Sequence, residues 1–356
     1  MRGVVFTGNS RLEMRQFPDP TPGAGEVVLE MKASGMCGSD LKFYRPPPGA
    51  AFAAIGIDAS KLGPELADGL IAGHEPCGVV AAVGASVDPR SFKIGDRVMV
   101  HHYYGCRVCD ACRTGWSQMC EEGPVVYGVT GHGGHADYMK VPAATLVHLP
   151  AELSYATGAA ISCGTGTAFG ALVRLELSAR DTIAIFGLGP VGLAAVQFAH
   201  AMGARIIAVD IAEARVTRAR EFGADEALDS TQVDVVAEIL RLTGGKGVSC
   251  ALDASGAPDA RQAAVQATGR WGRVVLVGEG GELTLAVSRD MIRKQITIMG
   301  SWTFSTVGQR ECTRFVAEHG IDVERVFTER WRLDQAEAAY ASFDKQSGGK
   351  GVFEFP

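Results

Sequence analysis

One stretch near the middle of the chain constrains the fold more than any other. The apolar run TIAIF, residues 182–186, leads into the loop GLGPVG, which opens the helical pattern PVGLAAVQFAHAMG. The apolar run RIIAVD follows and ends in Asp210. A strand, a glycine-rich turn, a helix and a second strand in this order predict a βαβ unit with parallel strands.

The same alternation continues toward the C-terminus. The apolar runs VSCALDASG, RVVLVGEG and ITIMG alternate with helical patterns such as EARVTRAREFG, DVVAEILRLTG and DARQAAVQATG. Near-continuous apolar strands are typical of a parallel sheet covered by helices on both faces. We therefore predict a doubly wound α/β domain over residues 165–300.

The first half of the chain has a different pattern. Short apolar runs, namely VVLEMKAS, GVVAAVG, RVMVHHYY and ADYMKVP, are separated by glycines and prolines, which predicts an irregular, mostly β domain over residues 1–164. The closing stretch within 301–356 reads as a helix and a strand that return to this domain. A chain of 356 residues is long enough for two such domains.

Composition narrows the class of partner. The formal charge is −6, and 47% of residues are hydrophobic against 21% charged, as in ordinary globular proteins. A nucleic-acid or anionic-membrane partner normally requires a basic face, so we expect a small-molecule substrate instead. The N-terminal residues lack a signal-peptide pattern and no run is long enough to span a bilayer, which predicts a cytoplasmic location.

The central loop carries a dinucleotide signature. Gly187 permits a tight turn, Gly189 lets the backbone approach a pyrophosphate, and Gly192 lets the helix pack against the sheet. Asp210 can accept hydrogen bonds from both hydroxyls of the adenosine ribose, whereas the 2′-phosphate of NADP would place like charge beside it, so NAD is favoured. The alternative is that the glycines only make a turn and Asp210 caps a helix. Arg215 either steadies the adenosine or is a solvated helix residue. The candidate loop residues are Gly187, Leu188, Gly189, Pro190, Val191 and Gly192.

A second motif indicates a structural metal site. The stretch GCRVCDACRTGWSQMC holds four cysteines in the spacing C-x2-C-x2-C-x7-C: Cys106, Cys109, Cys112 and Cys120. Four thiolates complete the tetrahedral shell of Zn²⁺ and leave no position open for a substrate. A zinc ribbon that binds nucleic acid would also use four cysteines, but the only basic residues of this loop are Arg107 and Arg113.

Single residues in separate motifs are candidates for a second, catalytic zinc. They are Cys37 in GMCGSD, His74 and Glu75 in AGHEPCG, and Cys163 in ISCGTGTAFG. A catalytic zinc needs three protein ligands and one open position, but spacing alone does not join these residues, because a lone Cys or His is more often a packed residue than a ligand. The remaining cysteines are interpreted as small buried hydrophobes: Cys77, Cys250 and Cys312.

Taken together, these motifs resemble the zinc-dependent alcohol dehydrogenases of the medium-chain dehydrogenase/reductase superfamily. The resemblance covers essentially the whole chain and rests on GMCGSD, GHEPCG, the four-cysteine loop, GHADYMKVP and GLGPVG in the family's order. It implies a GroES-like catalytic domain at residues 1–164, completed by 301–356, and a Rossmann domain at 165–300 between them.

The resemblance also implies roles for individual residues. Cys37, His74 and Cys163 become the ligands of the catalytic zinc, and Glu75 becomes a carboxylate that can exchange onto the metal. Asp40 would orient His74, as the partners of metal-binding histidines commonly do. In addition, Ser39 would take the proton of the substrate hydroxyl, and Thr167 would lie against the nicotinamide.

Some positions depart from the best-known members of the family. Gly38 replaces a basic residue that contacts phosphate, as in polyol-type relatives, and Lys42 stands where many members have a relay histidine. Lys42 either serves directly in proton release or is an ordinary surface lysine. The segment 41–72 is longer than usual and forms part of the substrate wall, a lid, or a packing loop. His132 and His135 are not expected to bind zinc, since the other ligands fill the shell.

The expected activity is oxidation of a primary or secondary alcohol by NAD, and its reverse, with one catalytic and one structural zinc per chain. The alternative within the superfamily is a sugar, polyol or amino-alcohol dehydrogenase. Such relatives often have Glu where this chain has Cys163, whereas Gly38 favours them. A non-catalytic or zinc-free relative is disfavoured, because it would not need an open ligand set. We expect a homodimer or homotetramer, with the apolar run ITIMGSWTF available for pairing at a sheet edge.

Overall fold

Two units make up the chain. The computed structural model describes residues 1–54, 69–345 and 349–356. The first unit comprises Met1–Cys163, Ser305–Glu318 and Glu324–Pro356, and the second comprises Gly164–Phe304 and His319–Val323. The first unit therefore contains both the start and the C-terminal stretch of the chain.

The N-terminal part of the first unit is mostly strand, with short helices. Its elements are β1 (Arg2–Gly8), β2 (Arg11–Gln16), β3 (Glu26–Gly35), α1 (Leu41–Tyr44), α2 (Ala50–Ala54), β4 (Glu75–Val83), β5 (Arg97–Val100), β6 (Tyr103–Tyr104), α3 (Asp110–Arg113), β7 (Val125–Val126), β8 (Tyr138–Pro142), β9 (Leu146–His148) and α4 (Tyr155–Ile161).

The second unit alternates strands and helices. Its main segment holds α5 (Gly164–Arg174), β10 (Thr182–Phe186), α6 (Pro190–Ala201), β11 (Arg205–Asp210), α7 (Glu213–Glu221), β12 (Glu226–Asp229), α8 (Val235–Leu242), β13 (Val248–Asp253), α9 (Pro258–Ala267), β14 (Thr268–Leu276) and β15 (Thr297–Gly300).

The chain then returns to the first unit, apart from residues His319–Val323. The elements of this last stretch are α10 (Thr306–His319), β16 (Phe327–Trp331), α11 (Ala336–Phe343) and β17 (Lys350–Glu354).

The second unit is built on one parallel sheet of six strands. Their order is β12-β11-β10-β13-β14-β15, and every neighbouring pair is parallel. The chain starts in the middle at β10, runs outward to β12, and then returns to β13 on the other side. This reversal of strand order next to β10 is the switch point at which doubly wound folds bind ligands. The predicted doubly wound sheet is confirmed.

The first unit has a larger, mainly antiparallel sheet. Its strands run in the order β16-β17-β3-β4-β5-β9, and β8 also pairs with β3. β17 lies antiparallel to β3, with Val352 opposite Gly35, so the C-terminal strand is part of the sheet of the first unit. Buried apolar residues of β3, β4, β5 and β8 form its core, among them Leu29, Val80, Val98 and Met139.

The elements differ from the sequence patterns in two places. The run RVMVHHYY is divided into β5 and β6, and the buried His101 and His102 stand between the two strands. β12 has the polar sequence EALD, which carries no apolar run. It is an edge strand that pairs only with β11, so burial of one small residue, Ala227, is enough for it.

Among the described residues, no single helix is long and apolar enough to cross a membrane. The consecutive helices α4 and α5 meet the length and composition criteria only when taken together, and both are mostly buried in the protein.

Candidate functional site

Neighbouring strand ends of the first unit bring three candidate metal ligands together. Cys37 comes two residues after β3, and His74 and Glu75 stand at the start of β4. β3 and β4 are antiparallel, with Gly35 opposite Glu75, so the end of one strand meets the start of the other. A side chain at Gly35 would collide with the Glu75 carboxylate, which explains a glycine at this strand end.

The fourth candidate ligand comes from the helix that precedes the second unit. Cys163 follows α4, directly after Ser162, whose hydroxyl donates to the carbonyl oxygen of Pro76 in β4 at 3.1 Å. That hydrogen bond holds the end of α4 against the start of β4. As a result, one donor atom from each of four residues lies within 4.8 Å of the others: Cys37, His74, Glu75 and Cys163.

The orientation of His74 is set by a buried carboxylate. Its Nδ1 lies 2.9 Å from Oδ1 of Asp40, and Asp40 is only 3% exposed. Nε2 of His74 therefore faces the ligand cluster, where the Ser39 hydroxyl lies 3.1 Å from it and 3.2 Å from Sγ of Cys37. The structure thus places Asp40 and Ser39 beside the cluster.

The grouped side chains perturb one another's protonation. A hydrogen bond from the Cys163 thiol lowers the pKa of Cys37 well below its ordinary value, although burial acts against it. The same hydrogen bond, together with burial, raises the pKa of Cys163. Burial alone would lower the pKa of His74, but the charges of Asp40 and then Cys37 outweigh it and raise that pKa. Cys37 is therefore stabilised as a thiolate, the form in which a cysteine binds metals.

Glu75 pairs with a lysine that no sequence motif connects with it. Nζ of Lys350, in β17, lies 2.5 Å from Oε1 of Glu75, and both side chains are almost completely buried. Burial raises the pKa of Glu75 to about 8, and the Lys350 ammonium limits the rise. The second oxygen, Oε2, is buried and has no hydrogen-bonding partner among the described residues.

These residues fit a zinc ion. Two thiols, an imidazole and a carboxylate are the ligand types found at catalytic zinc sites. A buried carboxylate oxygen without a donor is costly, and a cation beside the cluster would compensate Oε2 of Glu75. The types of ligand atom and the unpartnered Oε2 of Glu75 are therefore both consistent with a zinc site at this cluster.

Two more residues near the cluster escaped sequence reasoning. Tyr340, in α11, donates a hydrogen bond from its hydroxyl to Oδ2 of Asp40 at 2.8 Å. The ring of His102 packs edge-on against His74, with centroids 5.2 Å apart. Neither residue lies in a motif or at a spacing that indicates metal chemistry, and only the paired sheet and the return of the C-terminal segment bring them here.

The four-cysteine loop forms a second cluster. The Sγ atoms of its cysteines lie within 4.8 Å of one another. The backbone amide of Cys109 donates to Sγ of Cys106 at 3.3 Å, and that of Cys106 donates to Sγ of Cys120 at 3.2 Å. Hydrogen bonds from the backbone around Glu121 and Cys112 lower the pKa of Cys109 to about 7. Amide donors that stabilise thiolates suit a closed, four-thiolate zinc site.

The glycine loop of the second unit has the backbone that its sequence predicts. Gly187 has a φ of +86°, and a Cβ there would lie 2.7 Å from Ser255, so the turn requires glycine. A Cβ at Gly192 would collide with the carbonyl oxygen of Gly187. A Cβ at Gly189 would meet no atom within 4 Å, so the space over this residue is open. Gly189 is also the N-cap of α6, a 12-residue helix, which fits a pyrophosphate at this helix N-terminus.

Asp210, at the end of β11, is hydrogen-bonded to the same glycine loop. Asp210 is 6% exposed and accepts the backbone N–H of Leu188 at 2.6 Å and that of Ala212 at 2.9 Å. A carboxylate has about four lone-pair sites, so acceptor capacity for ribose hydroxyls remains. Nη1 of Arg215 lies 3.9 Å from Oδ2 of Asp210. Thr167 is buried in α5, in the same unit.

Neither His132 nor the three other cysteines belong to a group of candidate metal ligands among the described residues. Lys42 is exposed on α1. His132 Nδ1 accepts the backbone N–H of Ile71 at 3.2 Å. Residues 55–68 of segment 41–72 lie outside the described residues, and the wall, lid or packing role of this segment stays a prediction. The three other cysteines are fully buried: Cys77, Cys250 and Cys312.

Comparisons with known proteins identify the family. A model described as an alcohol dehydrogenase GroES-like domain matches residues 23–151, and a model described as a zinc-binding dehydrogenase matches residues 190–318. The chain is 39% identical to a zinc-type alcohol dehydrogenase-like protein, YphC, of Escherichia coli (strain K12), over 100% of this chain and 99% of the relative.

Two further similar proteins are named for substrates with more than one hydroxyl group. The chain is 30% identical to a sorbitol dehydrogenase of Bacillus subtilis (strain 168), over 95% of this chain and 92% of that one. The crystal structure of 2R,3R-butanediol dehydrogenase from Bacillus subtilis superposes with a TM-score of 0.86 at 29% identity, covering 100% of this chain and 99% of that one. With its GroES-like and Rossmann domains, the chain belongs to the zinc-dependent alcohol dehydrogenases of the medium-chain dehydrogenase/reductase superfamily.

Proposed function

We propose that the protein oxidises a primary or secondary alcohol to an aldehyde or ketone with NAD as the hydride acceptor, and that it catalyses the reverse reaction. One observation carries the proposal. The donor atoms of Cys37, His74, Glu75 and Cys163 lie within 4.8 Å of one another, beside a hydroxyl that can move a proton.

The residues of the cluster have separate roles in this proposal. Cys37, His74 and Cys163 would hold the catalytic zinc, and Glu75 would be a carboxylate that can exchange onto it. Bound there, Zn²⁺ supplies a Lewis acid that acidifies a hydroxyl group of the substrate. Ser39 lies against two of the ligand atoms, and a hydroxyl both accepts and donates. Ser39 would therefore accept the substrate proton and pass it outward.

NAD is assigned to the second unit. The open space over Gly189 and the N-terminus of α6 suit a pyrophosphate, and the cofactor supplies the redox chemistry. Asp210 carries a negative charge next to the loop, which favours ribose hydroxyls and opposes the 2′-phosphate of NADP. Thr167 and Arg215 are proposed to contact the nicotinamide and the adenosine, respectively.

A polyol, sugar or amino alcohol is the second candidate substrate. The similarity to a sorbitol dehydrogenase and to a butanediol dehydrogenase favours it. Gly38 supports it too, since polyol-type relatives have the same residue. Cys163 favours simple alcohols, because those relatives often have Glu at this position.

A substrate panel tests both candidates together. The purified protein would be given simple primary and secondary alcohols, diols, polyols and amino alcohols, with NAD and NADP in separate reactions, and nicotinamide absorbance would be followed. Turnover with NAD and at least one alcohol is expected. Absence of turnover in a protein shown to hold its metals would contradict the proposed activity, and a preference for NADP would contradict the role of Asp210.

Metal analysis tests the site assignment independently of activity. We expect about two zinc ions per chain, one in each cysteine-containing cluster. A single zinc that is lost on Cys109→Ser and kept in Cys37→Ser would refute the catalytic centre. The oligomeric state and the cytoplasmic location stay predictions; light scattering that finds a monomer would refute the expected dimer or tetramer.

A further inference from the structure

A continuous chain of buried hydrogen bonds extends from the metal cluster into the protein. Nδ1 of His74 lies 2.9 Å from Oδ1 of Asp40, and the Tyr340 hydroxyl donates to Oδ2 of Asp40 at 2.8 Å. Nε2 of His135 lies 2.8 Å from the Tyr340 oxygen, and Nδ1 of His135 lies 2.8 Å from Oγ of Ser34. Four contacts thus connect five side chains, and only the first of them was expected from the resemblance.

The groups of this chain have one consistent assignment of donors and acceptors. Burial lowers the pKa of His135 to about 4, so its ring is neutral at pH 7 and carries one N–H. Burial, and then the charge of Asp40, raises the pKa of Tyr340 well above its ordinary value, so the phenol keeps its proton. Asp40 as a carboxylate can only accept.

The directions of the hydrogen bonds follow from this assignment. Tyr340 donates to Asp40, so its oxygen must accept the Nε2–H of His135. Nδ1 of His135 is then free of hydrogen and accepts the hydroxyl of Ser34. At the other end, His74 donates Nδ1–H to Asp40, so Nε2 is the nitrogen that faces the cluster and would bind a metal.

The Asp40 carboxylate depends on these donors. Oδ1 accepts from His74, and Oδ2 accepts from Tyr340 and from the backbone N–H of Cys37 at 2.9 Å. Asp40 is 3% exposed and Tyr340 is fully buried, so water does not readily replace a lost partner. Without the phenol, one oxygen would keep only the amide of Cys37.

Packing holds the far end of the chain in place. His135 is fully buried, and a Cβ at Gly73, the residue before His74, would collide with its ring. Gly73 has a φ of +91°, which also requires glycine. The imidazole of His135 therefore lies directly against the backbone that presents His74.

We propose that Tyr340 and His135 are positioning residues of the metal centre, which fix the Asp40 carboxylate and, through it, the orientation and tautomer of His74. The inference rests on the proposed function, because that proposal assigns the metal to this cluster. It adds two residues from separate parts of the first unit to the apparatus that holds the metal.

The test measures metal binding in Tyr340→Phe, which removes one oxygen atom and keeps the ring. Loss of a direct partner of a metal-binding histidine typically weakens metal affinity by about 10- to 100-fold, and because Tyr340 acts through Asp40 we expect a loss at the lower end of that range. Affinity would be measured by chelator competition with Zn²⁺. Co²⁺ would replace Zn²⁺ for absorption spectra, in which we expect a changed ligand-field band for this centre. The four-cysteine cluster serves as an internal reference, and its affinity should not change.

Tyr44→Phe is the matched control. Tyr44 is buried next to Tyr340, with ring centroids 5.4 Å apart, and its hydroxyl has no hydrogen-bonding partner among the described residues. The Tyr44→Phe variant should bind a metal ion at each of the two clusters with the affinity of the unmodified protein. An equal loss of affinity in both variants would overturn the inference, since packing would then explain it. Unchanged affinity and spectrum in Tyr340→Phe would also overturn it.

The experiment separates this inference from the proposed function. If the unmodified protein binds only the metal of the four-cysteine cluster, the proposed function fails first. If it binds two metals and Tyr340→Phe behaves like Tyr44→Phe, only the positioning role fails. Should Tyr340→Phe not fold, as judged by circular dichroism and by the cobalt spectrum of the reference cluster, His135→Gln is measured and its affinity is judged by the same criteria.

Discussion

The hydroxyl group of Ser39 lies in contact with two of the candidate metal ligands. It lies 3.2 Å from Sγ of Cys37 and 3.1 Å from Nε2 of His74, next to the position where a substrate hydroxyl would bind. We expect Ser39→Ala to lower kcat by roughly 10²- to 10⁴-fold, the usual contribution of proton transfer by a positioned group. Steady-state kinetics with the best substrate of the panel would measure it.

Ser39→Thr provides the control for this prediction, because it keeps a hydroxyl at the same carbon. It should retain most of the activity that Ser39→Ala loses, and both variants should keep two zinc ions. A kcat for Ser39→Ala close to that of the unmodified protein would show that another group, or water, takes the proton.

Asp210 sets the choice of cofactor in the proposed function. Asp210→Asn removes its charge and keeps one acceptor oxygen, so the repulsion of a 2′-phosphate disappears. A hydrogen bond to a charged group contributes about 1.5–3 kcal/mol, so the preference for NAD over NADP should fall by roughly 10- to 150-fold. The ratio of kcat/KM for the two cofactors measures this preference.

Asp259→Asn is the matched variant for that comparison, since Asp259 is an exposed acid on α9 of the same unit. It should leave the cofactor ratio unchanged. If Asp210→Asn also keeps the preference for NAD, Asp210 serves only the backbone amides of Leu188 and Ala212, the structural interpretation that the sequence left open.

Single residues differ in how far the sequence could place them. Cys37, His74 and Cys163 could be joined only through the family resemblance, because no spacing rule connects three separate motifs. Lys350 and Tyr340 could not be found at all. A buried lysine at the start of a strand and a tyrosine in an alanine-rich helix carry no signal of their partners, which lie about 275 and 300 residues away in the chain.

Among the elements, the loop with the four cysteines offers the clearest test. Cys112→Ser should reduce the zinc content from about two ions per chain to about one, because a structural site needs all four thiolates. Residues 105–120 should then exchange their amide hydrogens faster, as measured by mass spectrometry, while the residues around His74 keep their protection. Loss of both zinc ions would contradict the independence of the two sites.

Cys312→Ala is the appropriate comparison for Cys112→Ser. Cys312 is buried in α10 and belongs to neither cluster of metal-binding side chains among the described residues. Removal of the buried Cys312 thiol reduces packing in the protein, so this variant controls for a general loss of stability. The zinc content of this variant should stay at about two ions per chain.

The elements could be predicted where a physical pattern is strong. The glycine loop followed the predicted turn, since positive φ and close backbone approach leave glycine as the only suitable residue at Gly187 and Gly192. The edge strand β12 and the division of RVMVHHYY into β5 and β6 could not be predicted. The first depends on pairing with a neighbouring strand, and the second falls in a run that contains no glycine or proline to mark a break.

For the molecule as a whole, buried neutral histidines predict a loss of stability in acid. Burial lowers the pKa of His101 to about 4, below the ordinary value of 6.5 that the unfolded chain would have. Between these values the unfolded state binds more protons, so the free energy of unfolding should fall as the pH drops from about 6.5 toward 4. For one such histidine the loss amounts to at most about 3 kcal/mol.

Denaturant unfolding at several pH values would measure this effect. His101→Gln should flatten the pH dependence in that window, whereas His148→Gln should not, because His148 is exposed. An equally steep dependence in His101→Gln would mean that other groups, such as the metal ligands, account for acid sensitivity.

The position of β17 has a consequence for how the protein is made. Lys350 pairs with Glu75, and Tyr340 pairs with Asp40, so the surroundings of the metal cluster include residues far along the chain. A ribosome must therefore translate past residue 350 before the neighbours of Cys37, His74 and Cys163 are complete. A nascent chain that stalls earlier exposes these thiols without the lysine and the phenol that surround them in the folded protein. If the cluster holds the proposed zinc, such a chain would bind it more weakly than the folded protein does.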